Sequence, residues 1–410
     1  MYYINDKLVD PEAVAEQIEQ SNIKAKMRKM QRLLKLVQKF VKEHDGILYG
    51  GLALNTLLPD ALKFYNDDEI PDYDFYIQDA DKLSKKLADQ LKNKGYNYTE
   101  VKHALHEGTF KVFSNFESVA DMSMLSSVEY TLLKDKCIRK SLNGMKLLFA
   151  PIDFLKAAAY LELGLPIGAS FRWTKVYKRL LLFENAYPVH VKSKIDVNKI
   201  FEQADTILID DKHVKVHKEV KKYIKLNELM YINLSALKIL FNDKLSQSVL
   251  DTTHSLQVMS LHLDKTVDDV CSLLRAYKVA YKTVHYDDFS SFIPKKSVVY
   301  IQDDNGYKKL LSIYETNEQC FSYFTIKGSM FCSMYVLFYI YYFKRLIQDA
   351  NHDLISNILV ELHSLLDDDD ARQRIITTFT KECYGYQASL SATKKKIWDD
   401  NKKILFYRPK

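Results

Sequence analysis

Residues 46–79 read GILYGGLALNTLLPDALKFYNDDEIPDYDFYIQD, and within them Asp72 and Asp74 interrupt an apolar, aromatic run. Carboxylates in a half-buried strand are unfavourable unless something compensates them. Alternate side chains share one face of a strand, so Asp72 and Asp74 are expected to project together while Tyr73 and Phe75 pack the other way. Their Cα atoms would then lie roughly 6 to 7 Å apart, and two like charges that close raise each other's pKa unless a cation sits between them. A hard divalent ion, Mg2+ or Mn2+, is the natural occupant. Two such ions can activate an attacking hydroxyl and stabilise the leaving oxygen in phosphoryl transfer, and they call for a third carboxylate. Asp121, in SVADMSML, is the best candidate, since it too is flanked by apolar residues on a predicted strand.

Gly50 and Gly51 fit the same scheme. Without Cβ atoms their backbone can approach a triphosphate, and the helix they open points free N–H groups at the anion. The bland alternative is an edge strand with a wet acidic face beside an ordinary turn. Asp67, Asp68 and Glu69 are read as an acidic loop.

Ahead of this segment, Ile23, Met27, Met30, Leu34, Val37 and Val41 recur at three- and four-residue steps, which predicts an amphipathic helix. Lys24, Lys26, Arg28, Lys29, Arg32, Lys35, Lys39 and Lys42 cover its outer side, either as a solvated face or as a contact for a polyanion. After it, a helix is expected over 82–93, strands over 109–116, 118–125 and 145–151, and helices over 152–163 and 173–185. The polar stretch after Tyr187-Pro188 carries a second basic cluster, and its apolar periodicity lapses up to about residue 228. The divisions expected are an N-terminal basic helix (1–45), a catalytic domain (46–188), a basic linker (189–227) and a C-terminal domain (228–410). The run Asp367 to Asp370 is read as a surface loop.

The chain of 410 residues carries a net charge of +6. Its most apolar run, Met330 to Phe343, has fourteen residues where a membrane span needs about 20, so a buried core helix is expected and no membrane association. Cys137, Cys271, Cys320, Cys332 and Cys383 show no CxxC spacing and are read as reduced thiols of a cytoplasmic protein.

YGGLALN, PDYDFY and the later VAD together resemble the DNA polymerase β-like nucleotidyltransferase superfamily. SFRWTKVYKRLLLFENAYP (170–188), NEQCFSYFTIKGSMFCSMYVLFY (317–339) and FTKECYGYQASLSATKKKIW (379–398) are similar to poly(A) polymerase catalytic subunits of large nucleocytoplasmic DNA viruses. The resemblance implies an α+β fold, a nucleotidyltransferase-type mixed sheet with flanking helices, followed by a second, degenerate domain of the same type. It implies transfer of AMP from ATP to an RNA 3′ end, with Asp72, Asp74 and Asp121 as metal ligands and Asp121 also placed to help deprotonate the 3′-OH. Gly50 and Gly51 would cradle the triphosphate. Lys156, Arg172, Lys175, Lys178 and Arg179 are the candidate phosphate-neutralising cations. Other terminal nucleotidyltransferases, or a catalytically inactive RNA-binding subunit, are the competing readings. The second half offers only adjacent acid pairs, Asp287-Asp288 and Asp303-Asp304, which point to opposite strand faces and make no site. Its aromatic surface would suit single-stranded RNA, a partner subunit or a homodimer.

Overall fold

The structure, a computed structural model, describes residues 2–4, 7–9, 11–66, 69, 71–104, 108–167, 170–203, 211–287, 294–303, 306–316, 319–348, 351–367, 382–400 and 406–409. Asp67, Asp68, Asp288, Asp304 and residues 368–370 lie outside them. The chain divides into two compact units, residues 1–150 with 394–410, and residues 151–393.

The first unit opens with a hairpin of β1 (Tyr2–Ile4) and β2 (Lys7–Val9), followed by α1 (Pro11–Glu43). Its sheet is built from β3 (Ile47–Leu48), β4 (Tyr73–Ile77), β5 (Glu100–His103), β6 (Thr109–Ser114), β7 (Glu117–Met124), β8 (Ile138–Leu142) and β9 (Met145–Phe149). A C-terminal strand, Phe406–Tyr407, adds to the β5 edge, and the order runs from it through β5, β6, β7, β4, β3 and β9 to β8. Helices α2 (Gly50–Leu57), α3 (Ala80–Asn93) and α4 (Ser127–Lys136) connect these strands. The strand carrying Asp74 alternates as expected: Tyr73, Phe75 and Ile77 are buried, while Asp74 and Tyr76 are half-exposed. Helix α1 packs on the sheet through Leu33, Leu34, Val37, Phe40 and Val41, all buried, and turns Arg28, Lys29, Arg32, Lys35, Lys39 and Lys42 outward. That distribution is what a three- and four-residue apolar step dictates.

The second unit contains α5 (Ile152–Leu163), α6 (Trp173–Ala186), α7 (Val197–Glu202), α8 (Asp211–Leu226), β10 (Met230–Tyr231), α9 (Asn233–Leu240), α10 (Gln247–Asp251), β11 (Leu256–Ser260) and α11 (Leu263–Ala276). Then come β12 (Tyr281–Tyr286), β13 (Lys296–Asp303), β14 (Gly306–Glu315), β15 (Cys320–Ile326), β16 (Ser329–Cys332), α12 (Met334–Ile347), α13 (His352–Asp367) and β17 (Cys383–Gly385). Its sheet order is β12, β13, β14, β11, β10, β16, β15, β17.

The second sheet repeats the first. Antiparallel β5–β6–β7, parallel β7–β4, antiparallel β4–β3, parallel β3–β9 and antiparallel β9–β8 are matched by β12–β13–β14, β14–β11, β11–β10, β10–β16 and β16–β15 in the same directions. Even an irregularity recurs, at Val112/Phe113 in the first sheet and at Val299/Tyr300 in the second. The backbone bond from Tyr49 N–H to Asp74 O, 3.0 Å, has its counterpart from Ile232 N–H to Gln257 O, 2.9 Å. Gly50, at φ +70°, is matched by Asn233, at φ +51°, each the first residue of its helix. Asn is among the few side chains that tolerate this left-handed region.

Three expectations change here. The run Met330 to Phe343 splits: Met330 to Cys332 belong to β16, and the buried helix is α12. Within the Lys-rich stretch before residue 228, α8 buries Val216, Val220 and Ile224; a four-residue apolar step was hidden between lysines. Cys320 and Cys383 are not free thiols but form a disulfide across the β15–β17 pair, with Cα atoms 5.2 Å apart. Their separation of 63 residues concealed the pairing, and Cys137, Cys271 and Cys332 remain free.

Candidate active site

Strands β4 and β7 run parallel and side by side, and their register sets Asp74 directly beside Asp121. Asp72 immediately precedes β4, on the Asp74 face. A carboxylate oxygen from each of the three lies within 4.8 Å of the others, and all three residues are half-exposed. The parallel pairing requires a long connection between the strands. Helix α3 and the β5–β6 hairpin supply it, which is why Asp121 follows so far behind Asp74 in the chain.

Antiparallel pairing then places Lys111 of β6 opposite Asp121. Its ammonium is ion-paired to Asp121 Oδ2, and the Ser118 hydroxyl donates to Oδ1 at 3.3 Å. Lys111 was not singled out from sequence; a single Lys in TFKVFS reads as strand polarity until the register is known. Burial raises the Asp72 carboxyl above its ordinary range, the Asp121 charge adds to this, and Lys111 opposes it.

Gly50 shapes the other wall. A Cβ built on it would collide with Asp74 Oδ2 and lie 3.0 Å from Asp74 Cγ. The absent side chain therefore makes room for the carboxylate, a reason distinct from the close phosphate approach expected from sequence. Gly51 follows in the first turn of α2, as expected for a helix opening beside the acids. Tyr49 stacks on Tyr76 with centroids 4.0 Å apart, and its hydroxyl shares a 2.8 Å hydrogen bond with Ser123 Oγ. Burial, followed by the nearby Tyr76 and Asp74, holds the Tyr49 phenol well above its ordinary pKa, so it keeps its proton.

The remaining expected cations belong to the second unit. Lys156 is 1% exposed; its ammonium is ion-paired to Glu184 and donates to Tyr187 O at 2.5 Å and Tyr342 Oη at 3.3 Å. Burial lowers its pKa and Glu184 opposes that. Arg172, the residue before α6, and Lys175 and Lys178 within it are exposed at three-residue steps, with Arg172 Nε 3.5 Å from Glu162.

The donor set fits a hard divalent cation: three carboxylates, no sulfur and no imidazole, on a half-buried floor where the charge of Asp72 is already penalised.

Residues 35–169 match the family model of the poly(A) polymerase catalytic subunit. The matched region holds Gly50, Gly51, Asp72, Asp74, Asp121, Lys111 and Lys156, whereas Arg172, Lys175 and Lys178 fall just beyond it. A mimivirus protein assigned as a poly(A) polymerase catalytic subunit is 26% identical over 200 residues, covering 46% of this chain and 33% of that protein. Its counterpart from African swine fever virus is 27% identical over 200 residues, covering 47% and 40%. The chain therefore matches less than half the length of these relatives. The crystal structure of the Megavirus polyadenylate synthase superposes with a TM-score of 0.72 at 18% identity, over 99% of this chain and 87% of that one, which shows a shared fold. The α+β architecture, with two mixed sheets of the same strand order, is thus a fold shared with that protein. Among the described residues no helix is long and apolar enough to cross a membrane.

Proposed function

We propose that the chain is a template-independent poly(A) polymerase that transfers AMP from ATP to an RNA 3′ end. The observation that carries this reading is the register of β4 and β7, which gathers three carboxylates beside a glycine-opened helix. Asp72, Asp74 and Asp121 would hold Mg2+ or Mn2+, which when bound supplies charge neutralisation for the triphosphate and activation of the attacking hydroxyl.

The chain's own groups do the rest. Asp121 receives the proton of the RNA 3′-OH, and Lys111 and Ser118 fix its two oxygens for that task. Gly50 leaves Asp74 its space, and Gly51 and the first turn of α2 offer backbone donors to phosphate oxygens. Arg172, Lys175 and Lys178 neutralise substrate phosphates, and the outward basic side of α1 follows the RNA backbone. Lys156 instead organises the Glu184–Tyr342 cluster.

The test is incubation with an end-labelled RNA primer, Mg2+ or Mn2+ and each nucleoside triphosphate separately. Extension with ATP alone is expected. Extension with CTP or UTP in its place would make the chain a different terminal transferase, and no extension with any of them would leave an RNA-binding scaffold.

A further inference from the structure

The repeated register identifies what stands in the second sheet where the first has its acids. Asp74 corresponds to Gln257, Asp121 to Ser312 and, two residues before Gln257, Asp72 to Ser255. No carboxylate remains at those three positions.

Two residues along the same strand faces lies a cavity of about 750 Å3, counted with its open mouth. The register sets Met259, Tyr314 and Lys296 side by side across β11, β14 and β13 as its floor. Asn233, the first residue of α9, and Lys344 of α12 complete it, and Tyr339 and Phe343 give it an apolar wall. Lys344 Nζ donates to Asn233 Oδ1 at 2.9 Å. That leaves Asn233 Nδ2, on a side chain 1% exposed, with no hydrogen-bond partner. Among the described residues neither Lys344 nor Lys296 is ion-paired to a carboxylate, although Glu315 lies at the rim. Lys344 lies over the Tyr341 ring and Lys296 over Tyr286, but an unsatisfied buried donor beside two ammonium groups with no carboxylate partner is still costly, and an anion removes the cost. The Lys344 ammonium is accordingly pushed down to about 7, first by burial and then by the charges of Lys296 and Lys309.

We propose that this cavity binds a nucleoside phosphate without metal, its phosphate on Asn233 Nδ2, Lys344 and Lys296 and its base against Tyr314, Tyr339 and Phe343. The polar groups that converge are all donors: Asn233 in the first turn of α9, where a helix end favours phosphate, Lys344 in the last turn of α12 and Lys296 at the start of β13. The aromatic wall beside them suits a flat base. Where the first sheet gathers acids that need a cation, the second gathers cations that need an anion. The assignment does not rest on the reading of the carboxylate site.

The test uses the full chain with Asp74→Ala, in EDTA, titrated with AMP by calorimetry, so that transfer activity plays no part in the readout. One AMP per chain is expected, with affinity falling at least tenfold in Lys344→Met and severalfold in Lys296→Met. Asn233→Asp, which keeps a residue tolerant of positive φ but turns the donor into a carboxylate, is expected to abolish binding; it serves should Lys344→Met not fold. Competition by oligoadenylate bearing a 3′-phosphate would identify the ligand as a residue of an RNA strand, and its absence a free nucleotide; either supports the site. Failure of the Asp74→Ala chain to bind AMP, or binding untouched by all three substitutions, overturns it.

Discussion

Gly50 and Asp74 are fitted to one another: the backbone of Gly50 is held at φ +70°, and the space a Cβ would fill is occupied by the Asp74 carboxylate. Gly50→Ala should cost about 1 to 2 kcal/mol from the left-handed conformation alone. Displacement of Asp74 should lower the rate of primer extension about a hundredfold, since a shift of about 1 Å at a reacting centre has that effect. Denaturant midpoints and single-turnover rates on the same preparation check both. An alanine variant with unchanged turnover would separate the glycine from the chemistry.

Asp74→Ala should abolish extension while leaving RNA affinity nearly intact, because the exposed basic side of α1 is untouched. Filter binding alongside the primer assay measures the two together. Extension that survives the substitution removes Asp74 from the metal set.

The raised pKa of Asp72 has a sign that can be measured. Its folded value lies above the unfolded one, so the metal-free fold binds more protons than the unfolded chain in that window. Its contribution to stability is present at low pH and lost as pH rises from the ordinary carboxylate range through the folded value. Mn2+ should therefore raise the melting temperature of the chain at pH 7 more than at pH 4.5, and Asp72→Asn should flatten that difference.

Lys111→Met removes a cation that competes with the metal for Asp121. Mn2+ affinity should rise by about three- to tenfold, or roughly 1 kcal/mol, while turnover falls because Asp121 loses its anchor. Lys111→Arg should restore turnover in part. A purely structural role would lower both quantities with stability.

Under non-reducing, denaturing conditions thiol titration should find three reactive cysteines of five, matching Cys137, Cys271 and Cys332. Closing a loop across 63 residues stabilises by about 4 kcal/mol in the chain-entropy model, so a reductant or Cys383→Ser should lower the unfolding midpoint.

What could be read from the amino acids follows from how local the signal is. The alternation around Asp72 and Asp74, the Gly-Gly pair and the apolar steps of α1 are short-range patterns, and the structure bears out the elements they predict. Lys111 depends on which residue faces which across β6 and β7, and nothing near TFKVFS encodes that. For the second sheet, two strands, 297–304 and 309–315, read as β-like from the residues, and the resemblance implies a domain of the same type. Its strand β10 is two residues long, and its left-handed turn uses Asn233 in place of glycine. The disulfide was hidden for the same non-local reason.

The two sheets also form a built-in control. One backbone plan exists twice in a single chain, once with three carboxylates crowded on adjacent strands and once with Ser255, Gln257 and Ser312 in their places. The architecture therefore persists where the mutual repulsion of those acids is absent, and whatever the acids cost in stability is a tax levied by chemistry on one copy alone. Ser255→Asp, Gln257→Asp and Ser312→Asp would transplant that burden to the other copy, and the drop in stability would measure what an active centre demands of its own scaffold.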